Sequence, residues 1–159
     1  MPDARLDFTH DGERYGIAIG HEAGDAGDAV LRLHVDAYRG EELAARGELI
    51  LDHDGGFALR LNGEQFFTTH LIDFPEGDHI LIQILEAVPP LDPVIGCIIK
   101  AGFLAMLQQL LACRRMVDGS LPWLDRLRRI ARCVADHFPG LAMNAAFRAA
   151  RCIFVGGLF

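Results

Sequence analysis

Residues 94–113 read VIGCIIKAGFLAMLQQLLAC, the most apolar run in the chain, and they constrain everything around them. A helix that is apolar nearly all round lies either in a membrane or under protein on several sides. A membrane span needs ~20 apolar residues with few charges. Here Lys100, Gln108 and Gln109 interrupt the run, and a charge near the bilayer centre costs ~3 kcal/mol on insertion scales. The acidic segment before it has no reason to be translocated. We therefore expect a central core helix with a sheet on one side and the later helices or a second subunit on the other, and no membrane.

Lys100 is the only lysine, beside 14 arginines, a bias typical of GC-rich bacterial coding. At ~100° per residue it shares a stripe with Leu104, Leu107, Leu111 and Arg114, away from the glutamines. A catalytic amine would need a partner in register, and the helix supplies none. The expected role is a stem packed on apolar neighbours, with its ammonium at the helix edge or against a sheet carboxylate. The helix itself starts at Asp92-Pro93, an N-cap followed by proline at the first turn, and closes at Asp118-Gly119-Ser120.

The residues before it carry strand signals. Asp11-Gly12, Asp54-Gly55-Gly56 and Asn62-Gly63 separate short runs, and such pairs supply the positive φ that hairpins require. Leu31, Leu33, Val35 and Ala37 alternate with polar residues, as do Tyr15, Ile17 and Ile19, and Phe57, Leu59 and Leu61. That period places one sheet face in a core and the other in water. HILIQILEAV, residues 79–88, is more continuously apolar and reads as a central strand. Residues 22–28, EAGDAGD, read as a loop, and 40–46, GEELAAR, as one helical turn. The count is about seven strands between residues 5 and 88.

Two further helices follow, from Pro122 to Phe138-Pro139-Gly140 and from Leu141 to Ile153. The first has a core stripe of Trp123, Leu124, Leu127, Ala131, Val134 and Phe138 opposite charged residues. Strands followed by helices give an α+β fold: an N-terminal antiparallel sheet of about seven strands, then three C-terminal helices, the first packed on the sheet. At 159 residues the chain is one domain by length and needs no disulfide staple. The acidic, strand-rich half is 1–88 and the basic, helical half 92–153. Cys97, Cys113, Cys133 and Cys152 form no CxxC, so we expect buried thiols in a reducing cytoplasm. The N-terminus lacks the basic and apolar regions of a signal peptide.

Charge is divided: 6 Arg against 19 Asp and Glu in residues 1–99, and 9 basic residues against 3 Asp beyond them, for −7 in total. An overall acidic chain is ill-suited to nucleic acid. Chemistry is sparse. His21-Glu22 begins like HExxH, but Asp25 stands where the second histidine belongs. Two His-Asp-Gly turns, at 10–12 and 53–55, would offer metal ligands only if they met at one end of a sheet. There is no phosphate loop and no GxSxG. The expectation is no catalytic residue, no metal and no cofactor.

Two function classes remain. The first is a non-enzymatic protein-binding module, of adaptor, chaperone or immunity type, working as a homodimer through surplus apolar surface on the long helix. The second is a small-ligand protein or enzyme, with an apolar cavity between sheet and long helix lined by Phe66, Phe67, Ile82 and Leu107. Lys100 is a further candidate binding residue. So are Leu158 and Phe159, two large apolar side chains after Gly156-Gly157, which we expect to dock on the core or on a partner.

Overall fold

The computed structural model describes the backbone at residues 4–26 and 29–159, with side chains at 5–22 and 29–159. Six strands form one antiparallel sheet in chain order: β1 (Ala4–His10), β2 (Glu13–Ala26), β3 (Ala29–Arg39), β4 (Glu42–Asp52), β5 (Gly56–Leu61) and β6 (Glu64–His70). Four helices follow: α1 (Asp78–Glu86), α2 (Pro93–Met116), α3 (Trp123–Asp136) and α4 (Phe138–Phe154). The α+β class expected from the sequence is the fold observed.

The hairpins form as the turn residues dictate. Asp11 and Gly12 have φ of 51° and 78°, and Asn62 and Gly63 52° and 84°, the left-handed pairs of a two-residue hairpin turn. The register places Ile17 and Ile19 opposite Ala37 and Val35, with Tyr15 and Leu33 on the same buried face. It continues that buried face through Leu49 and Leu51 to Leu59 and Phe57. A bulge in β6 sets Phe67 opposite Leu59 and Gln65 opposite Arg60. The extra residue, Phe66, lets two successive aromatics lean toward the core.

Four expectations are corrected. The sheet has six strands, because 78–86 is helical. Leu81, Ile84 and Leu85, at i, i+3 and i+4, are its buried positions, a helical period inside a run short enough to pass for a strand. There are consequently four helices rather than three. Residues 22–26 belong to β2 and not to a loop, while 27 and 28 lie outside the described residues. The stretch 40–46 makes no helical turn. Glu42–Arg46 is strand, paired with β3 through a bulge near Tyr38, so sheet pairing overrides the helical propensity of Glu-Leu-Ala-Ala.

Helix α2 is central. Asp92 caps it by accepting from the Val94 and Ile95 amides. One side lies on β3 and β4, with Gly102 over Val35 and Phe103 over Gly47. Helix α4 covers another side, with α3 and α1 flanking. Two thirds (67%) of its most apolar window is buried in the fold, although the helix is long and apolar enough to cross a membrane. This answers the question set by residues 94–113: one chain covers them with its sheet and its own later helices. The surface on which a dimer was expected from the sequence is therefore occupied.

The cysteines are also corrected. Cys97 is joined to Cys152 and Cys113 to Cys133, with Cα atoms 5.6 and 5.8 Å apart. These disulfides staple α2 to α4 and to α3. The spacing of 55 and 20 residues carried no recognisable pattern, because the pairing follows from helix packing.

Candidate functional site

The residues expected to line one cavity are dispersed. Phe66 packs edge-on against Phe103, with ring centroids 5.5 Å apart, and Phe67 lies near Phe57 at 6.2 Å. Leu107 is wholly buried core, and Ile82 is on the outer side of α1, 42% exposed. These four line no common cleft among those described below. The two His-Asp-Gly turns also stay apart. In a meander the turns alternate between the two ends of the sheet, so the β1–β2 and β4–β5 turns sit at opposite ends.

Lys100 and Leu158 do come together. They line a cleft of about 310 Å³ with Pro89, Pro90, Gly96 and the Cys97–Cys152 disulfide. Lys100 is half-buried and forms no hydrogen bond or ion pair among the described residues. The tail docks: Arg148 Nη1 donates to the Leu158 carbonyl at 2.6 Å, and its guanidinium lies 5.8 Å from the Phe159 ring centre.

The outer sheet face carries charge in cross-strand order. Asp36, only 1% exposed, accepts from Arg46 Nη2 at 2.7 Å. The pairing holds Arg46 further toward its charged form. At the β1 end, Asp7 accepts from Arg5 Nε at 2.7 Å and Arg14 Nη2 at 2.9 Å. Those bonds, Arg5 first, hold its carboxyl below the usual range. The Arg5 and Asp7 side chains lie down over Gly16. Glu76 of the acidic half receives Arg114 and Arg115 of the basic half, each at 3.0 Å. His137 Nδ1 lies 2.8 Å from the Cys133 carbonyl oxygen and close to the Cys113–Cys133 disulfide.

The sequence reading missed the feature that stands out in three dimensions. Helix α4 has two apolar stripes. Leu141, Ala145 and Ala149 are buried, whereas Met143, Phe147 and Phe154 are 74%, 66% and 56% exposed. The outer stripe runs beside β1, an edge of the sheet, where Leu6 is 52% exposed. Between them Arg5, Leu6, Ile17, Ile19, Ala142, Met143 and Ala146 enclose a groove of about 250 Å³. At the far end Phe154 meets Phe8 and His10 at 6.3 and 5.5 Å. The spacing of 143, 147 and 154 on one helical face was a legible signal. Its exposure was not, since the opposite stripe is equally apolar.

Among the described residues no strand pairs with the outer edge of β1. The two-residue turn makes His10 and Glu13 a bonded pair, after which bonded and non-bonded pairs alternate. The Arg14 carbonyl accepts from Gly40 on the β3 side, so Thr9 opposite it turns its own backbone groups outward. By the same alternation Arg5 and Asp7 present N–H and C=O to the free edge.

Comparison with protein-family models, with curated proteins and with solved structures finds no match to this chain.

Proposed function

We propose that this protein is a non-enzymatic protein-binding module that receives an extended polypeptide segment by strand addition at β1. The observation that carries the reading is the conjunction of an open edge and an apolar groove along it. An added strand would take the outward amides of Arg5, Asp7 and Thr9, and its alternate side chains would enter the groove under Leu6 and Met143. Exposed apolar surface continuous with an unpaired edge otherwise invites uncontrolled association. The two disulfides support an oxidising compartment as its place of work rather than the cytoplasm expected from sequence.

The test is an NMR titration of the isotope-labelled chain with an extended octapeptide alternating Val with Lys and Glu. Perturbation is expected at the amides of Arg5, Asp7 and Thr9 and at Leu6, Ala142 and Ala146. Perturbation confined to other surfaces, or none in a protein shown to be monomeric, would refute the reading. The Lys100 cleft favours a second reading, a small-ligand protein whose ammonium meets a carboxylate. Thermal shifts with short-chain carboxylates, abolished by Lys100→Met, would favour it over the first.

A further inference from the structure

We infer that the occupant of the β1 edge is a second copy of this chain, joined by antiparallel β1–β1 pairing about a two-fold axis at Leu6. The inference rests on the strand-addition reading and names its partner.

The charge pattern of β1 favours this register over those centred on Arg5 and Asp7. A two-fold axis normal to the sheet keeps both core faces on one side, so facing residues must have the same parity. Centred on Asp7, the pairing sets the two Asp7 carboxylates against each other. Centred on Arg5, it sets guanidinium against guanidinium. Centred on Leu6, it places Arg5 of each copy opposite Asp7 of the other on the outer face, so the Arg5–Asp7 pair within each chain meets its copy with charges alternating. Like charges directly opposite destabilise a sheet and unlike charges stabilise it. The hydrogen bonding agrees: Arg5 and Asp7 carry the outward amides and carbonyls, so they become the bonded pair. Leu6 faces Leu6 in the non-bonded pair, where side chains approach most closely.

The other face agrees as well. On the core side, Leu6 lies at the mouth of the groove with Met143, so the axis brings together two copies of each. Phe147 continues the stripe outward on α4. The apolar face left open in one chain becomes the centre of an isologous interface, the commonest arrangement of homo-oligomers. The result is one twelve-stranded sheet, with both α4 helices on the same side.

The test uses the full chain with its disulfides intact. Sedimentation equilibrium is expected to show a dimer at about 100 µM. Under mild oxidation Leu6→Cys should cross-link to a covalent dimer, whereas Ile72→Cys, also exposed, should not. Arg5→Asp or Asp7→Arg alone should weaken association by about tenfold, from two symmetry-related pairs, and the double exchange should restore it. The cross-link needs no charge variant to fold, so it stands by itself. A monomer at that concentration would overturn the inference. A dimer that neither cross-links at position 6 nor responds to the exchange would overturn it too. If the protein is a monomer and the octapeptide still perturbs the edge, only the second copy falls. If neither associates, the strand-addition reading falls with it.

Discussion

Gly102→Ala tests the close approach of α2 to the sheet. A Cβ at position 102 would lie 2.5, 2.6 and 2.7 Å from Cγ2, Cβ and Cγ1 of Val35. Carbon atoms pack at ~3.5–4.0 Å, so three contacts fall short by about 1 Å. Rotating Val35 about χ1 moves the two γ carbons and leaves its Cβ in place, and Val35 is wholly buried. The helix must therefore lift from β3 and β4, loosening the neighbouring seat of Phe103 on Gly47. A gap of 0.5–1 Å forfeits roughly a quarter to a half of each affected contact, and overpacking costs ~1–3 kcal/mol. Against this, alanine gains ~1 kcal/mol over glycine in a helix. The lift extends over several residues, so we place the gross cost at the upper end and the net loss at ~2 kcal/mol. That corresponds to a fall in Tm of about 4–8 °C for a chain of this size. The assay is a urea melt under non-reducing conditions, with the slope checked for two-state behaviour. Val35→Gly deletes all three obstructing atoms, so combining it with Gly102→Ala should give a favourable coupling of ~1–2 kcal/mol. A Gly102→Ala protein as stable as the wild type would refute the close approach of α2 to the sheet.

Other outcomes follow from the same contacts. Arg46→Ala strands the buried Asp36 carboxylate and should cost ~3 kcal/mol in a urea melt, whereas replacing the exposed Arg132 should change little. Lys100→Met should stay within ~1 kcal/mol of wild type, since its ammonium has no partner among the described residues; a loss of several kcal/mol would mean a hidden ion pair. Truncation after Val155 removes the tail held by Arg148 and should lower Tm with the far-ultraviolet spectrum unchanged. Peptide mapping without reductant should recover the Cys97–Cys152 and Cys113–Cys133 pairs. Opening their loops of 55 and 20 residues should cost ~4 and ~3 kcal/mol in the chain-entropy account.

Local sequence determined the elements whose chemistry is local. Asp-Gly and Asn-Gly can take positive φ without help from the rest of the chain, so the hairpins at 11–12 and 62–63 were legible. Period-two alternation chose the buried face of β2, β3 and β5 before any partner strand was known, because one slip would expose the whole set. Asp92-Pro93 marked the start of α2 through its own backbone groups. The apolar run at 94–113 required cover on all sides, a statement about solvent that composition alone supports.

Tertiary structure decided the rest, for reasons of range. Residues 78–86 are apolar enough for a strand or a helix, and their docking against α2 settles the matter. The sequence said that α2 must be covered, but not whether by α4 or by a second chain. Cysteine pairing needed Cα atoms brought within 6 Å from 55 and 20 residues apart, which only the helix packing specifies. The candidate site has the same origin. Leu6, Ala142 and Met143 are ordinary apolar residues on elements separated by most of the chain. They form a groove because β1 ends the sheet and α4 lies beside it with a second apolar stripe that nothing within the described chain covers. Exposure belongs to an assembled surface, and no window of sequence contains it.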